Sequence, residues 1–430
     1  MNKVAKNAVW IIGIRVVQAV VAMLINMLTA RYLGPSGFGL ITYASSLVAF
    51  VLPIMQLGLS NVLVQEIVSN PEEEGKILGT SITLSVLSSI CCIIGVLAFA
   101  FVANPGEPET ILVCFLYSFI LIFQALDYVE YWYQAKLMSK YTSMISLMAY
   151  VIVSAYKIFL LVKGKSVYWF AISNALDYVL ISFGGLFLYR RLGGRKLCFS
   201  FEVGKKLFSK SKHYILSSMM VTVFAQTDKI MLKMMLDESA TGYYGAAVTC
   251  AGMTGFVFTA IIDSFRPSIF EGQKEGNKVF CHRLTMLYSI VIYLSLAQSI
   301  VMTLFSKWII YILYGTAYNP AISALQIIVW YTTFSYMGSV RNIWILANEK
   351  QKYLWQINMS GAVANVILNA VLIPLIGING AAVASLITQL FSNVIVGYII
   401  KPIRPNNAIM VESLKMKYLK DAFGKLKKRK

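Results

Sequence analysis

The sequence predicts an all-α polytopic membrane protein, and three observations lead to this fold class. Hydrophobic residues make up 58% of the 430-residue chain, charged residues only 13%, and the mean hydropathy is +0.69. A soluble domain carries about a quarter charged residues. Apolar runs of about 20 residues, the length that crosses a bilayer as a helix, recur along the whole chain.

Apolar segments of spanning length alternate with short polar loops. We therefore expect about twelve transmembrane helices in two pseudosymmetric six-helix lobes. The N-terminal run is too long for a signal-peptide core, so we interpret it as an uncleaved first helix. The predicted spans are residues 8–30, 38–61, 77–103, 110–133, 141–162, 166–189, 213–236, 242–263, 284–305, 321–347, 353–374 and 379–400.

The formal net charge of +19 is explained by membrane topology. In a soluble protein such a charge would suggest a nucleic-acid partner, which we do not expect here. Most Lys and Arg residues fall in alternate loops and at the two ends, whereas the opposite loops hold only Arg31, Lys163, Lys165 and Lys307. The positive-inside rule places the basic side in the cytoplasm. The sequence thus predicts a multi-pass membrane protein with both termini cytoplasmic.

A basic, less apolar segment divides six predicted spans from six. We expect an N-terminal lobe (1–189), a basic cytoplasmic linker (190–212), a C-terminal lobe (213–400) and a basic cytoplasmic tail (401–430). Parallel six-helix repeats are a known architecture of transporters.

Two pairs of segments support an internal repeat. ARYLGPSGFGLITY from Ala30 resembles MLDESATGYYGAAVT from Met235, and Ser139-Lys140-Tyr141 matches Gln351-Lys352-Tyr353 at a similar offset. Chance recurrence of Gly-aromatic and Lys-Tyr pairs at membrane interfaces remains the alternative explanation.

Each predicted lobe begins with a helix that carries a polar stripe. Thr222, Gln226, Lys229 and Lys233 are spaced by 4, 3 and 4, and Arg15, Gln18 and Asn26 share one face of the first span. A charge at the centre of a membrane helix costs roughly 2.5–3.5 kcal/mol and normally faces the protein interior or a water-filled cavity. We expect both stripes to face one polar cavity, with structural pairing of charges such as Asp228 with lysine as the alternative.

The sequence contains no recognisable catalytic or cofactor-binding pattern. The six cysteines form no CxxC pair, no metal-ligand spacing is present, and neither a phosphate-binding glycine loop nor a serine–histidine arrangement occurs. We therefore expect no enzyme activity and no cofactor or metal.

Four segments together resemble a known family. RYLGPSGFG (31–39), QTDKIMLKMML followed by GYYGAA (226–247), LYGTAYNPA (313–321) and LIPLIGINGAAVAS (372–385) are similar to recurring patterns of polysaccharide flippases. These are the O-antigen and capsule repeat-unit transporters of the multidrug/oligosaccharidyl-lipid/polysaccharide exporter superfamily. The order of the patterns and the chain length fit this family.

The resemblance implies twelve helices in two lobes around a central cavity. It further implies movement of an undecaprenyl-diphosphate-linked oligosaccharide from the inner to the outer leaflet of a bacterial cytoplasmic membrane. It also implies contact with the lipid bilayer, and with a glycan polymerase and chain-length machinery as further partners. Cations suit the diphosphate and amides suit sugar hydroxyls. The substrate-binding candidates are Arg15, Gln18, Asn26, Arg31, Gln226, Lys229, Arg341 and Asn365, and the ion-coupling candidates are Asp127, Asp177 and Asp228.

Each candidate role has a structural alternative, and two other functions stay open. Arg31 suits an interface anchor beside the Gly34-Pro35 turn, and the asparagines of the eleventh span suit helix–helix hydrogen bonding. A cation-coupled multidrug antiporter of the same superfamily is the main alternative function, and an acidic cavity would favour it. A membrane enzyme of glycan assembly is the other, although large outer loops are missing.

Overall fold

The structure is a computed structural model that describes the backbone of residues 3–427 and the side chains of residues 20–421. Within that range every regular element is helical, which confirms the predicted all-α fold class. The helices are α1 (Lys3–Met55), α2 (Leu63–Ser69), α3 (Glu74–Ala103), α4 (Pro108–Ser118), α5 (Ile120–Leu126), α6 (Val129–Ala135), α7 (Ser139–Val162), α8 (Val167–Arg191), α9 (Phe201–Met235), α10 (Glu238–Gly252), α11 (Gly255–Glu275), α12 (Asn277–Leu313), α13 (Ala321–Ala347), α14 (Leu354–Ile376), α15 (Ile378–Leu390), α16 (Val396–Ile399), α17 (Arg404–Glu412) and α18 (Met416–Lys427).

Helix α1 consists of two arms that meet at Gly34. This residue has φ 68° and ψ 178°, a backbone conformation that interrupts the helix and favours glycine. Pro35 follows, and proline is well suited to the first position of a new helix. Asn26 before the break and Ser45 after it line the same cavity. The two arms, residues 3–33 and 35–55, therefore contribute to one cavity, and they correspond to the first two predicted spans.

The described helices form a multi-pass membrane protein. Eight of them are long and apolar enough to cross a bilayer, or nine if α10 and α11, which meet at a 40° bend, form one broken span. The two arms of α1 count once in that number. Helices α9 and α13, with 35 and 27 residues, are also long enough but carry more polar residues. Together these segments account for the twelve predicted passes in the predicted order.

The chain forms two compact units, Met1–Gly242 and Tyr243–Lys430. The first unit contains α1 to α9 and the beginning of α10, and the second contains the remaining helices. The sequence predicted a boundary in 190–212 instead, so the division into two equivalent six-helix lobes stays a prediction. Each unit has its own apolar core, built around residues such as Tyr43 and Val113 in the first and Leu287 and Val340 in the second.

The predicted linker is only partly a loop. Helix α9 begins at Phe201, twelve residues before the predicted span, and the Ser200 hydroxyl caps it by accepting a hydrogen bond from the Val203 amide. The Cys198 amide donates to the Gly75 carbonyl at 3.2 Å, and Lys210 donates to the buried carboxylate of Glu66. These contacts attach the segment to the first unit.

Candidate functional site

A polar cavity of about 370 Å³ lies inside the first unit. Both arms of α1 line it together with α4, α5, α7 and α8. Polar side chains in the lipid-crossing part of a membrane protein are costly unless they face such an interior space. The polar lining consists of Asn26, Thr29, Ser45, Tyr117, Gln124, Tyr150, Ser154, Lys157, Asn174, Asp177 and Tyr178.

Lys157 is the cation among the described residues that line this cavity. Its ammonium donates to Oδ1 of Asn174 at 2.9 Å. The Asn174 amide nitrogen in turn donates to the Phe170 carbonyl at 2.9 Å, which fixes the side chain with its oxygen toward Lys157. A charged donor makes this a stronger bond than one between neutral groups.

Asp177 supplies the carboxylate of the same cavity. It follows Asn174 by three residues on α8, so the two side chains share a face of that helix. Its buried Oδ1 atom has no hydrogen-bond partner among the described residues. An ammonium, a carboxylate with a free oxygen and several amides and hydroxyls can together accept a proton, hold a small cation or bind hydroxyl groups.

Asp127 lies apart from that cavity. It lies between α5 and α6 and lines a smaller pocket with Glu130, Thr142 and Ser146. Glu130 accepts a hydrogen bond from the Gln134 side chain at 2.9 Å. Of the three predicted ion-coupling residues, Asp177 therefore lines the large cavity of the first unit, and Asp127 belongs to a second acidic pocket.

The polar stripe of α9 is present. The Lys229 ammonium donates to the Gln226 amide oxygen at 3.0 Å, so these two predicted substrate ligands share a helix face. Both side chains are half-buried, whereas Asp228 is buried. Lys233, the last residue of the stripe, is engaged in ion pairs within the first unit.

Arg341 and Asn365 lie in the interior of the second unit. The Arg341 side chain is 4% exposed and donates to the Ser392 carbonyl at 2.9 Å. Ser392 belongs to a π-helical turn, Phe391–Ile395, and such turns leave carbonyls without their usual helical donors. Asn365 is fully buried and accepts from the Asn369 amide at 3.1 Å, a bond between successive turns of the same helix, α14.

The remaining predicted ligands are on or near the first arm of α1. Asn26 lines the cavity of the first unit. Arg31 is exposed, three residues before the break at Gly34, which fits the interface-anchor alternative. The side chains of Arg15 and Gln18 lie outside the described residues.

Sequence reasoning missed part of this site. Neither Lys157 nor Asn174 is among the candidate residues selected from the sequence. The signal was available, because Asn174 and Asp177 are spaced by three on one predicted helix and Lys157 is the cation of the preceding one. Glu107 and Glu238, which pair with Lys233, lie at helix starts where no intramembrane pattern marks them.

The fold and the buried polar groups define a multi-pass helical membrane protein. A family model described as polysaccharide biosynthesis protein matches residues 4–273, and the chain belongs to this family. No curated protein sequence matches the chain. The resemblance found in the sequence motifs is thereby confirmed.

Several solved structures of membrane proteins share the fold. An inward closed conformation of the lipid II flippase MurJ aligns with a TM-score of 0.73 at 15% identity, covering 94% of this chain and 91% of that chain. An inward-facing multidrug resistance MATE transporter aligns at 0.66 with 14% identity, covering 93% and 96%. The eukaryotic MATE transporter AtDTX14 aligns at 0.62 with 11% identity, covering 95% and 99%.

Proposed function

We propose that this protein is a flippase that moves undecaprenyl-diphosphate-linked oligosaccharide repeat units from the inner to the outer leaflet of a bacterial cytoplasmic membrane. The observation that carries the proposal is membership of the polysaccharide biosynthesis family over residues 4–273. The fold shared with a lipid II flippase supports the same class of lipid-linked substrate.

The chemistry of that substrate explains the buried cations. A diphosphate and a glycan cannot enter hydrocarbon without losing their hydration, whereas the polyprenyl tail can remain in lipid. Lys229, with its neighbour Gln226, offers a point charge and an amide on one helix face. We propose that Lys229, Arg341, Arg15 and Arg31 bind the diphosphate and that Gln18, Asn26, Gln226 and Asn365 bind sugar hydroxyls.

The free carboxylate oxygen in the cavity of the first unit supports an ion-coupled cycle. We propose Asp177 as a proton or sodium site, with Asp127 and Asp228 as further candidates. Membrane potential can contribute as well, because moving one charge through 100 mV changes the free energy by about 2.3 kcal/mol. In this proposal the cycle alternates access between the two membrane faces.

We place the basic loops, both termini and the tail in the cytoplasm, following the positive-inside rule. The flipped product then reaches the outer leaflet, where a glycan polymerase and its chain-length machinery are the expected partners. The product of such a pathway is O-antigen, capsule or another exopolysaccharide.

A cation-coupled multidrug antiporter is the second candidate function. The likeness to MATE transporters and the carboxylate of Asp177 favour it. The presence of Lys157 in the same cavity favours an anionic or neutral polar ligand instead, because a resident ammonium repels a cationic drug.

The test is made in a strain that lacks this protein. We expect carrier-linked repeat units to accumulate, surface glycan to disappear, and the intact gene to reverse both effects. Lys229→Ala should fail to restore surface glycan, whereas Lys140→Ala, at an exposed lysine of the basic side, should restore it. Normal glycan together with new sensitivity to cationic drugs would instead establish the antiporter.

A further inference from the structure

Helix α18, Met416–Lys427, is amphipathic. Residues 416, 419, 423 and 426 are apolar and spaced by three, four and three, as one face of a helix requires. Lysines occupy 417, 420, 425 and 427 between them. A helix of this composition, rich in lysine on its polar side, is typical of segments that lie in the interface of a membrane.

The position of α18 is fixed by α12 within the second unit. The rings of His282 and Tyr418 lie 5.8 Å apart, and the Tyr293 hydroxyl donates to the Leu414 carbonyl at 2.6 Å. Helix α12 has 37 residues and is therefore about 55 Å long, well beyond the roughly 30 Å of hydrocarbon in a bilayer. With the predicted span at 284–305, the first residues of α12 extend beyond the bilayer on the predicted basic side, and Tyr418 of α18 lies beside them.

Apolar and basic side chains are exposed together where α17 leads into α18. Val411, Leu414 and Met416 are each about half exposed. Lys415, Lys417 and Lys420 are exposed in the same stretch. Water is a poor solvent for the first group, whereas a bilayer surface accommodates both, because the apolar residues enter the acyl region and the lysines reach the headgroups.

The positive charge of this surface is only partly compensated. Lys415 and Lys417 pair with Glu412 at 2.6 and 3.6 Å, and such exposed pairs contribute little. Lys420 forms no salt bridge within the described residues. The sequence continues with basic residues at 425, 427, 428, 429 and 430 and no acidic residue after Asp421.

We propose that the exposed surface of residues 411–421, where α17 leads into α18, binds anionic phospholipid headgroups at the bilayer surface on the basic side. Charge complementarity identifies the ligand, and α18 contacts α12, a helix long and apolar enough to cross a bilayer. This surface is separate from the cavity and the cations assigned to transport, so the proposal does not depend on the transported substrate.

The test uses the purified full-length protein in detergent micelles mixed with either phosphatidylglycerol or phosphatidylcholine. Phosphatidylglycerol should raise the thermal unfolding midpoint in a saturable, salt-sensitive manner, and phosphatidylcholine should not. The triple variant Lys415→Gln, Lys417→Gln, Lys420→Gln should bind phosphatidylglycerol at least about tenfold more weakly. The triple variant with arginine at the same positions should bind it like the wild type.

The matched control removes three exposed lysines elsewhere on the basic side, in Lys140→Gln, Lys196→Gln, Lys205→Gln. It carries the same charge change and should keep the wild-type response. If both glutamine variants lost the stabilisation by phosphatidylglycerol equally, net charge alone would explain the effect and the proposal would be wrong. If the arginine variant lost it, the contact would not depend on charge, which would also contradict the proposal. If inorganic phosphate at the same concentration stabilised the protein as much as phosphatidylglycerol does, the site would bind free anions and the proposed contact with lipid would be wrong.

Discussion

The ammonium of Lys233 lies 2.6 Å from a carboxylate oxygen of Glu107, a residue 126 positions earlier in the chain. The same ammonium lies 3.3 Å from Glu238, whose other oxygen accepts a hydrogen bond from Ser36 at 3.0 Å. This ion-pair cluster joins the end of α9 to the starts of α4, α10 and the second arm of α1. These four points are helix ends that lie close together within the first unit.

Unequal burial within this cluster predicts unequal effects of mutation. The Lys233 side chain is 3% exposed, whereas that of Glu107 is 45% exposed. Glu107→Gln with Glu238→Gln leaves a buried cation without a counter-charge and should destabilise by about 3 kcal/mol. Lys233→Met leaves carboxylates that water can reach and should cost about 1 kcal/mol. Thermal unfolding in detergent measures both.

The exposed pair Lys76–Glu73 is the control for these variants. Lys76→Met should change stability by less than about 0.5 kcal/mol. A larger loss in Lys233→Met than in the double glutamine variant would contradict the burial argument.

The same cluster predicts a pH dependence. The hydrogen bond from Lys233 holds the pKa of Glu107 below its ordinary value of 4.5. A lowered folded-state pKa contributes stability above the unfolded-state pKa, and that contribution is lost as the pH falls through the lowered value. The difference in unfolding midpoint between wild type and Glu107→Gln should be constant near neutral pH and shrink below about pH 4.5. A difference that grows on acidification would contradict this assignment.

Two glycines allow a close contact between helix starts in the first unit. A Cβ on Gly39 would lie 1.7 Å from the Glu238 carbonyl oxygen, and one on Gly242 would lie 2.1 Å from that of Pro35. Gly39→Ala and Gly242→Ala must therefore separate the two backbones. Each variant should lower the unfolding midpoint and reduce surface glycan in the complementation assay.

Gly95 provides the matched control for this contact. It lies within α3, and an added Cβ would meet nothing within 4 Å. Gly95→Ala should be neutral or stabilise by about 0.5–1 kcal/mol, because alanine loses less backbone entropy in a helix. Equal destabilisation by all three alanines would show that the predicted contact is not the cause.

The two charges of the cavity predict non-additive variants. Lys157→Met leaves Asp177 without its nearest cation, and Asp177→Asn leaves Lys157 without a carboxylate. The double variant removes both charges. Its loss of unfolding free energy should be smaller than the sum of the losses in the two single variants, by about 1–3 kcal/mol. Additive stability changes would show that the two groups do not interact.

Transport provides a second readout for the same variants. If Asp177 carries the coupling ion, the double variant recovers stability but not surface glycan. Recovery of both would assign the pair a structural role.

The contact of Arg341 with the π-helical turn allows the geometry of the guanidinium to be tested separately from its positive charge. A guanidinium can direct one donor to the Ser392 carbonyl while keeping others, whereas lysine is a point charge. Arg341→Lys should retain the protein in the membrane but lower its unfolding midpoint by an amount typical of a lost buried hydrogen bond, about 1–3 kcal/mol. Arg341→Met tests the charge itself. A wild-type midpoint in Arg341→Lys would show that the fork geometry is not required.

The sequence predicted the helical, multi-pass fold because lipid offers no hydrogen-bond partners to the backbone. An apolar run of about 20 residues satisfies its own backbone groups in lipid by forming a helix. It also predicted the polar stripe of α9. Lys229 and Gln226 share a face of this helix, because residues spaced by three lie on the same side of any helix. It did not predict that α9 begins at Phe201, since the polar first turns carry no apolar period and are held by Glu66 through tertiary contacts.

Local periodicity and composition, which depend only on neighbouring residues, thus determined the helices, their order, the basic side and the family. The tertiary structure decided which polar residues meet. Lys157 reaches Asn174 within hydrogen-bonding distance, Asp177 lines the same cavity, and Lys233 pairs with Glu107, because helix packing brings these side chains together. Periodicity gives the face of a helix on which a charge lies, but the identity of the opposite helix depends on packing across more than a hundred residues of chain.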